Sequence, residues 1–185
     1  MSLVRLLGAA DIRRLAAELD VTPTKKLGQN FVVDANTVRK IVTAARVEEN
    51  ERVVEVGPGL GSLTLAILET GASVTAVEID SRLASRLAQT ASEQGVPDGK
   101  LTVIEHDAMT VTELPRAPEV LVANLPYNVP VPVLLHFMET FPNLGRRAVM
   151  VQAAVGERLA AAPGSTISCP PGATSARSGT RIPTR

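Results

Sequence analysis

The stretch Val53-Val54-Glu55-Val56-Gly57-Pro58-Gly59-Leu60-Gly61-Ser62-Leu63-Thr64 decides the fold. A Val-rich run leads into three glycines within five residues, and these lead into Leu and Ala at helical spacing. Strand, glycine turn, helix is the opening of a unit that holds a nucleotide-like ligand at a strand's carboxyl end. Gly57, Gly59 and Gly61 admit positive φ and close backbone approach. The dinucleotide fingerprint is G-x-G-x-x-G; here Ser62 stands where its third glycine belongs, and Glu55 precedes the loop. Tight strand-to-helix packing alone would also use such a turn.

Outward from this loop the pattern alternates. Strands are expected at 51–57, 72–80, 101–107, 119–124 and 146–152. Helices are expected at 35–46 (capped by Asp34), 62–71 (ended by Gly71), 81–94 and 131–141. Near-continuous Val-rich strands separated by helices predict an α/β domain, a mostly parallel sheet with helices on both faces. Leu and Ala at helical spacing in residues 1–20 predict an amphipathic helix rather than a signal peptide. The reading divides the chain into residues 1–46 (helices and a basic loop), 47–162 (the sheet core) and 163–185. The last is a Ser/Thr/Pro/Gly/Arg tail with too little apolar surface to offset the entropy of ordering.

Composition bounds the function. The formal net charge is zero, yet residues 1–162 carry −3, the tail +3 and residues 1–46 +4. A local basic patch of this kind suits a polyanion, and it equally suits solvated helix faces. Cys169 is the single cysteine, which excludes an internal disulfide and a cysteine-based zinc site. No apolar run approaches the ~18–20 residues that cross a bilayer. A cytoplasmic protein without membrane or metal is the expectation.

Acids mark the carboxyl ends of successive strands. Glu78 ends the second, about 20 residues past the glycine loop, where an acid addresses ribose hydroxyls. Asp107 ends the third and suits an adenine amino group. Both NAD and S-adenosylmethionine contain adenosine, so these acids do not separate them. Ala-Asn-Leu-Pro-Tyr-Asn (123–128), after the fourth strand, does. Asn124 offers an amide acceptor. Pro126 holds Leu125 extended and aims its carbonyl. Tyr127, the only tyrosine, supplies a stacking face. Two acceptors and a ring form a receptor for a flipped-out base with an exocyclic amine, whose nitrogen lone pair they aim at an electrophilic methyl.

KKLGQNF (25–31), VEVGPGLGSLT (54–64), VEID (77–80), EHDAM (105–109) and NLPYN (124–128) occur in the order and near the spacing of the ribosomal RNA adenine dimethylases. The chain resembles that family over roughly residues 20–164, most of all its bacterial small-subunit members. The resemblance implies a class I methyltransferase fold using S-adenosyl-L-methionine. It implies dimethylation at N6 of two adjacent adenines near the 3′ end of 16S ribosomal RNA, with the small ribosomal subunit as partner. It places Gln29, Asn30, Val32, Gly57, Gly59, Gly61, Glu78, Asp107 and Asn124 on the cofactor. Asn124, Leu125 and Tyr127 fall on the target adenine, and Lys25 and Lys26 are candidate phosphate contacts.

The chain departs from the family pattern where Pro130 and Pro132 straddle a usually small hydroxylic position, and at Ala154, where Glu is usual. The resemblance stops near Ser165, which implies that the family's last strands, a second aromatic and a helical domain are missing. A truncated or frameshifted reading frame that is inactive as it stands is the expectation. Rival readings are a large-subunit methylase of the macrolide-resistance type, a non-catalytic ribosome-assembly factor that binds RNA, and an NAD-dependent dehydrogenase, which the glycine spacing and NLPY disfavour.

Overall fold

A computed structural model of the chain describes residues 4–21, 34–124 and 130–150. Within them five helices and five strands follow in the order α1 (Ala9–Glu18), α2 (Ala35–Ala45), β1 (Arg52–Val56), α3 (Ser62–Glu69), β2 (Ser73–Glu78), α4 (Ser81–Glu93), β3 (Leu101–Glu105), β4 (Val120–Asn124), α5 (Pro130–Thr140) and β5 (Arg146–Met150). The strands form one sheet of order β3-β2-β1-β4-β5, and every pairing is parallel. The chain moves outward from β1 to β3, then returns to lay β4 on β1's other side. That reversal puts a crevice at the carboxyl ends of β1 and β4, where open α/β sheets take ligands.

Side-chain alternation builds the layers. Val53, Val74, Ala76, Val120 and Val122 face α2 and α3, packing on Val38, Val42, Leu63 and Ile67. Val54, Val56, Val77, Leu121 and Ala123 face the other way, onto Val133, Leu134 and Phe137 of α5. Phe137 is fully buried; hiding such a side chain contributes roughly 1.5–3 kcal/mol. A third cluster seats α1 on the outer side of α3 and α4, with Ile12 and Leu15 against Leu65 and Leu83.

The element ends follow local chemistry. Asp34 caps α2 by accepting from the backbone N–H groups of Asn36 and Thr37 (3.3 and 2.9 Å), which satisfies donors that the first turn leaves open. Pro130 is the first residue of α5, one position earlier than the sequence suggests. Proline is well placed there, since a first-turn N–H has no helical partner to lose. The second and third strands end two residues sooner than expected. The carboxylate of Glu78 takes the Asp80 N–H (3.0 Å) and Asp80 caps α4 at Arg82 N (2.9 Å), so the chain has already turned into the helix.

Candidate active site at the carboxyl edge of the sheet

The glycine loop is bound to both neighbouring elements. Gly57 N donates to Val77 O (3.0 Å), and Gly61 N closes a turn on Pro58 O (3.0 Å). All three glycines have positive φ, at 70°, 59° and 96°. Gly61 also meets the steric demand of close packing: a Cβ there would stand 2.6 Å from Leu87 Cδ1 of α4.

Glu78 closes the loop from the side. Its Oε2 accepts from Gly59 N (3.1 Å) and its Oε1 from Asp80 N (3.0 Å), while the residue is only 5% exposed. Burial raises its pKa, and the two N–H donors pull the other way. A carboxylate has about four lone-pair sites, so acceptor capacity remains beyond these backbone donors for a ribose hydroxyl. The residues therefore fit the ribose and backbone-facing part of a nucleoside cofactor.

Asn124 is the last residue of β4, one step past the Val56–Ala123 pair, which sets it beside the start of the glycine loop. Asp107 lies two residues beyond the end of β3 and is exposed; its Oδ1 accepts from Met109 N (2.9 Å). Gly57, Gly59, Gly61, Glu78, Asp107 and Asn124 thus share the carboxyl edge. Lys25, Lys26, Gln29, Asn30, Val32, Leu125 and Tyr127 lie outside the described residues, as does Ala154.

Two residues of this edge escaped the sequence reading, and a third, Glu55, figures there only as preceding the loop. Ile79 and Met109, 68% and 38% exposed, stand next to the two strand-end acids. Large apolar groups exposed beside acids suit the faces of a ring whose edge the acids address; the signal lay in VEID and HDAM, where polar residues would otherwise follow a strand. Glu55 is the third. It is 1% exposed, on the strand face covered by α3, and its pKa is pushed up to about 8. Burial is the main cause. The Thr64 hydroxyl opposes it and the Glu78 charge adds to it. That hydroxyl stops short of a well-formed hydrogen bond: Glu55 Oε2 and Thr64 Oγ1 are both buried without a partner among the described residues. Burial therefore favours the neutral form of Glu55. Among the described residues no three His, Cys, Asp or Glu side chains come together as a metal site, and no helix is long and apolar enough to cross a membrane.

Sheet order, glycine loop and strand-end acid define a class I methyltransferase fold, and solved structures of that class superpose on the chain. A dimethyladenosine transferase from Plasmodium falciparum is 29% identical, with a TM-score of 0.62, over 71% of this chain and 46% of that one. The 23S rRNA methyltransferase ErmE is 26% identical, with a TM-score of 0.60, over 69% and 50%. The model of the ribosomal RNA adenine dimethylases matches residues 22–174, and the chain belongs to that family. The match runs past residue 164, taking in part of the segment expected to lie outside the family. Ribosomal RNA small subunit methyltransferase A of Leifsonia xyli is 63% identical over 169 residues, which are 90% of this chain and 60% of that protein. The chain spans between 52% and 60% of the length of such relatives.

Proposed function

We propose that this chain carries the cofactor and target-adenine sites of an S-adenosylmethionine-dependent methyltransferase that dimethylates N6 of two adjacent adenines near the 3′ end of 16S ribosomal RNA. The observation that carries the reading is the Glu78 carboxylate, tied to the glycine loop at the sheet's switch point with Asn124 at the same edge. Membership of the dimethylase family selects adenine in RNA as the acceptor.

Bound S-adenosylmethionine supplies an electrophilic methyl. Glu78 accepts from the ribose hydroxyls, and the glycines let the backbone approach the methionine part. Asp107 would accept from the cofactor's adenine amino group, with the exposed Ile79 and Met109 available as apolar surface at this edge. Gln29, Asn30 and Val32 complete that site. Asn124 and the Leu125 carbonyl accept the target amine's two hydrogens, which orients the nitrogen lone pair, and Tyr127 stacks on the base. Lys25 and Lys26 contact phosphate. Positioning and fixed dipoles then supply most of the rate gain. The protein acts in the cytoplasm on the small subunit.

Calorimetry with S-adenosylmethionine and with NAD tests the cofactor; binding of NAD alone overturns the reading. Incubation with undermethylated small subunits and labelled cofactor tests the target: a full-length relative is expected to label the two adjacent adenines, and this chain as it stands is expected to give no measurable label. The likeness to ErmE supports a second reading, a large-subunit target, which label on the other subunit would select.

A further inference from the structure

A second polar site lies at the opposite, amino-terminal edge of the sheet. The β3–β4 connection, residues 106–119, contains no helix. Parallel sheets ordinarily have both faces covered by their crossover helices. Near the starts of β2 and β3 the residues are hydroxylic: Ser73, which donates to Glu51 O (3.2 Å), Thr75, which is buried, and Thr102, which is exposed and paired to Thr75 across to β3. These residues line a cleft whose other polar walls are Arg52, Lys100 and Arg116.

The charges there are incompletely neutralised. Arg52 is occupied by Glu119 (2.8 Å) and by Ala117 O (2.7 Å). Lys100 spends one of its three donors on a neutral acceptor, Gly71 O (2.6 Å), and has no carboxylate partner among the described residues. Arg116 is exposed and makes neither a hydrogen bond nor an ion pair among them. Asp98 is exposed close by in sequence but does not line the cleft. Two cations without carboxylate partners among the described residues, beside the exposed Thr102 hydroxyl, form a receptor for phosphate oxygens, which accept from both.

We infer that the cleft edge formed by Lys100, Arg116 and the Thr102 hydroxyl grips the phosphodiester backbone of the RNA substrate at a point remote from the target adenine. The inference rests on the proposed function for the identity of that RNA. Strands of five or six residues separate the two edges by roughly 15–20 Å, so a folded RNA, not a mononucleotide, is needed to touch both. The cleft then supplies register and affinity, while the base receptor supplies selection.

The test uses the whole chain and undermethylated small subunits, with binding measured over a range of salt concentrations. Lys100→Gln keeps a donor for Gly71 O and removes the charge; Arg116→Glu alters a residue without internal partners. The double variant is expected to bind about tenfold or more weakly, with the slope of log affinity against log salt reduced by about 1–2. Its cofactor affinity is expected to be unchanged, which reports the fold. Unaltered affinity and slope overturn the inference. Protection of Lys100 from acylation is expected from the RNA and not from inorganic phosphate at equal concentration. Protection by phosphate alone marks a small-anion site and overturns the RNA assignment. Failure of the parent chain to bind S-adenosylmethionine strikes the proposed function instead, and leaves the salt slope to be judged on its own.

Discussion

Glu55 and Glu78 sit two side chains apart in the sheet's logic and do opposite jobs. Glu55 folds from an ordinary carboxyl near 4.5 to one near 8. Between those values the native chain keeps a proton that the unfolded chain releases, so stability falls as pH rises from about 4.5 to 8 and levels off above. The raised pKa of Glu78 acts in the same direction. Glu55→Gln keeps the shape of the neutral acid, so denaturant unfolding between pH 5 and 9 is expected to show a flatter curve. At pH 8 the variant gains stability on the order of a few kcal/mol; a curve parallel to the parent's would place Glu55 in water or against a cation. On the proposed ribose contact, Glu78→Ala is expected to lower S-adenosylmethionine affinity by roughly 1.5–3 kcal/mol for the lost charge-assisted bonds. In a full-length relative the change equivalent to Asn124→Ala is expected to abolish methyl transfer while keeping most cofactor affinity, as an acceptor for the target amine in the transition state would require. Equal loss of both would make Asn124 a cofactor contact. The roles of the two glutamates differ in legibility. Glu78 is visible from its spacing after the glycine loop, whereas the neutrality of Glu55 depends on α3 lying over it, which letters alone do not display.

Helix α3 is buried continuously from Leu63 to Leu68, so its start has little freedom to move. Gly61→Ala asks an L-residue to hold φ 96° and drives a methyl against Leu87, itself 2% exposed. The left-handed backbone costs roughly 1–2 kcal/mol and overpacking about 1–3 more. Calorimetric unfolding measures the sum, and pairing with Leu87→Ala is expected to cost less than the two changes added separately. Helix α1 is joined differently. The guanidinium of Arg86 on α4, with a side chain 9% exposed, takes Glu18 of α1 (2.9 Å) and Glu93 (3.0 Å), and Arg82 reaches the carbonyls of Leu19 and Asp20. Arg86→Met is expected to speed amide exchange in Ala9–Glu18 while the sheet amides stay protected; equal acceleration in both would show α1 and the sheet opening as one unit. Amphipathic spacing discloses α1 as a helix in the sequence, but its partner is invisible there, because Arg86 and Glu18 lie 68 residues apart.

The centre of the five-stranded parallel sheet is legible because β1, β2 and β4, largely buried, are Val-rich, and helices announce the other crossovers. The helix-free return from β3 to β4 shows in the sequence only as a break in structure, at Pro115 and Pro118; that its Val111 and Leu114 pack with Val77 of the sheet is not displayed there. That return has a further consequence in time. β1 sits in the middle of the sheet, yet its partner on one side is β4: Val53 pairs with Val120, and Arg52 N bonds Glu119 across 67 residues. During synthesis at roughly 5–20 residues per second, β1 leaves the ribosome with half its hydrogen-bonding edge unmatched for about 3–13 s. No hairpin forms in the interval to cover it, so the nascent chain waits on its own later half before the seam at the centre of the sheet closes.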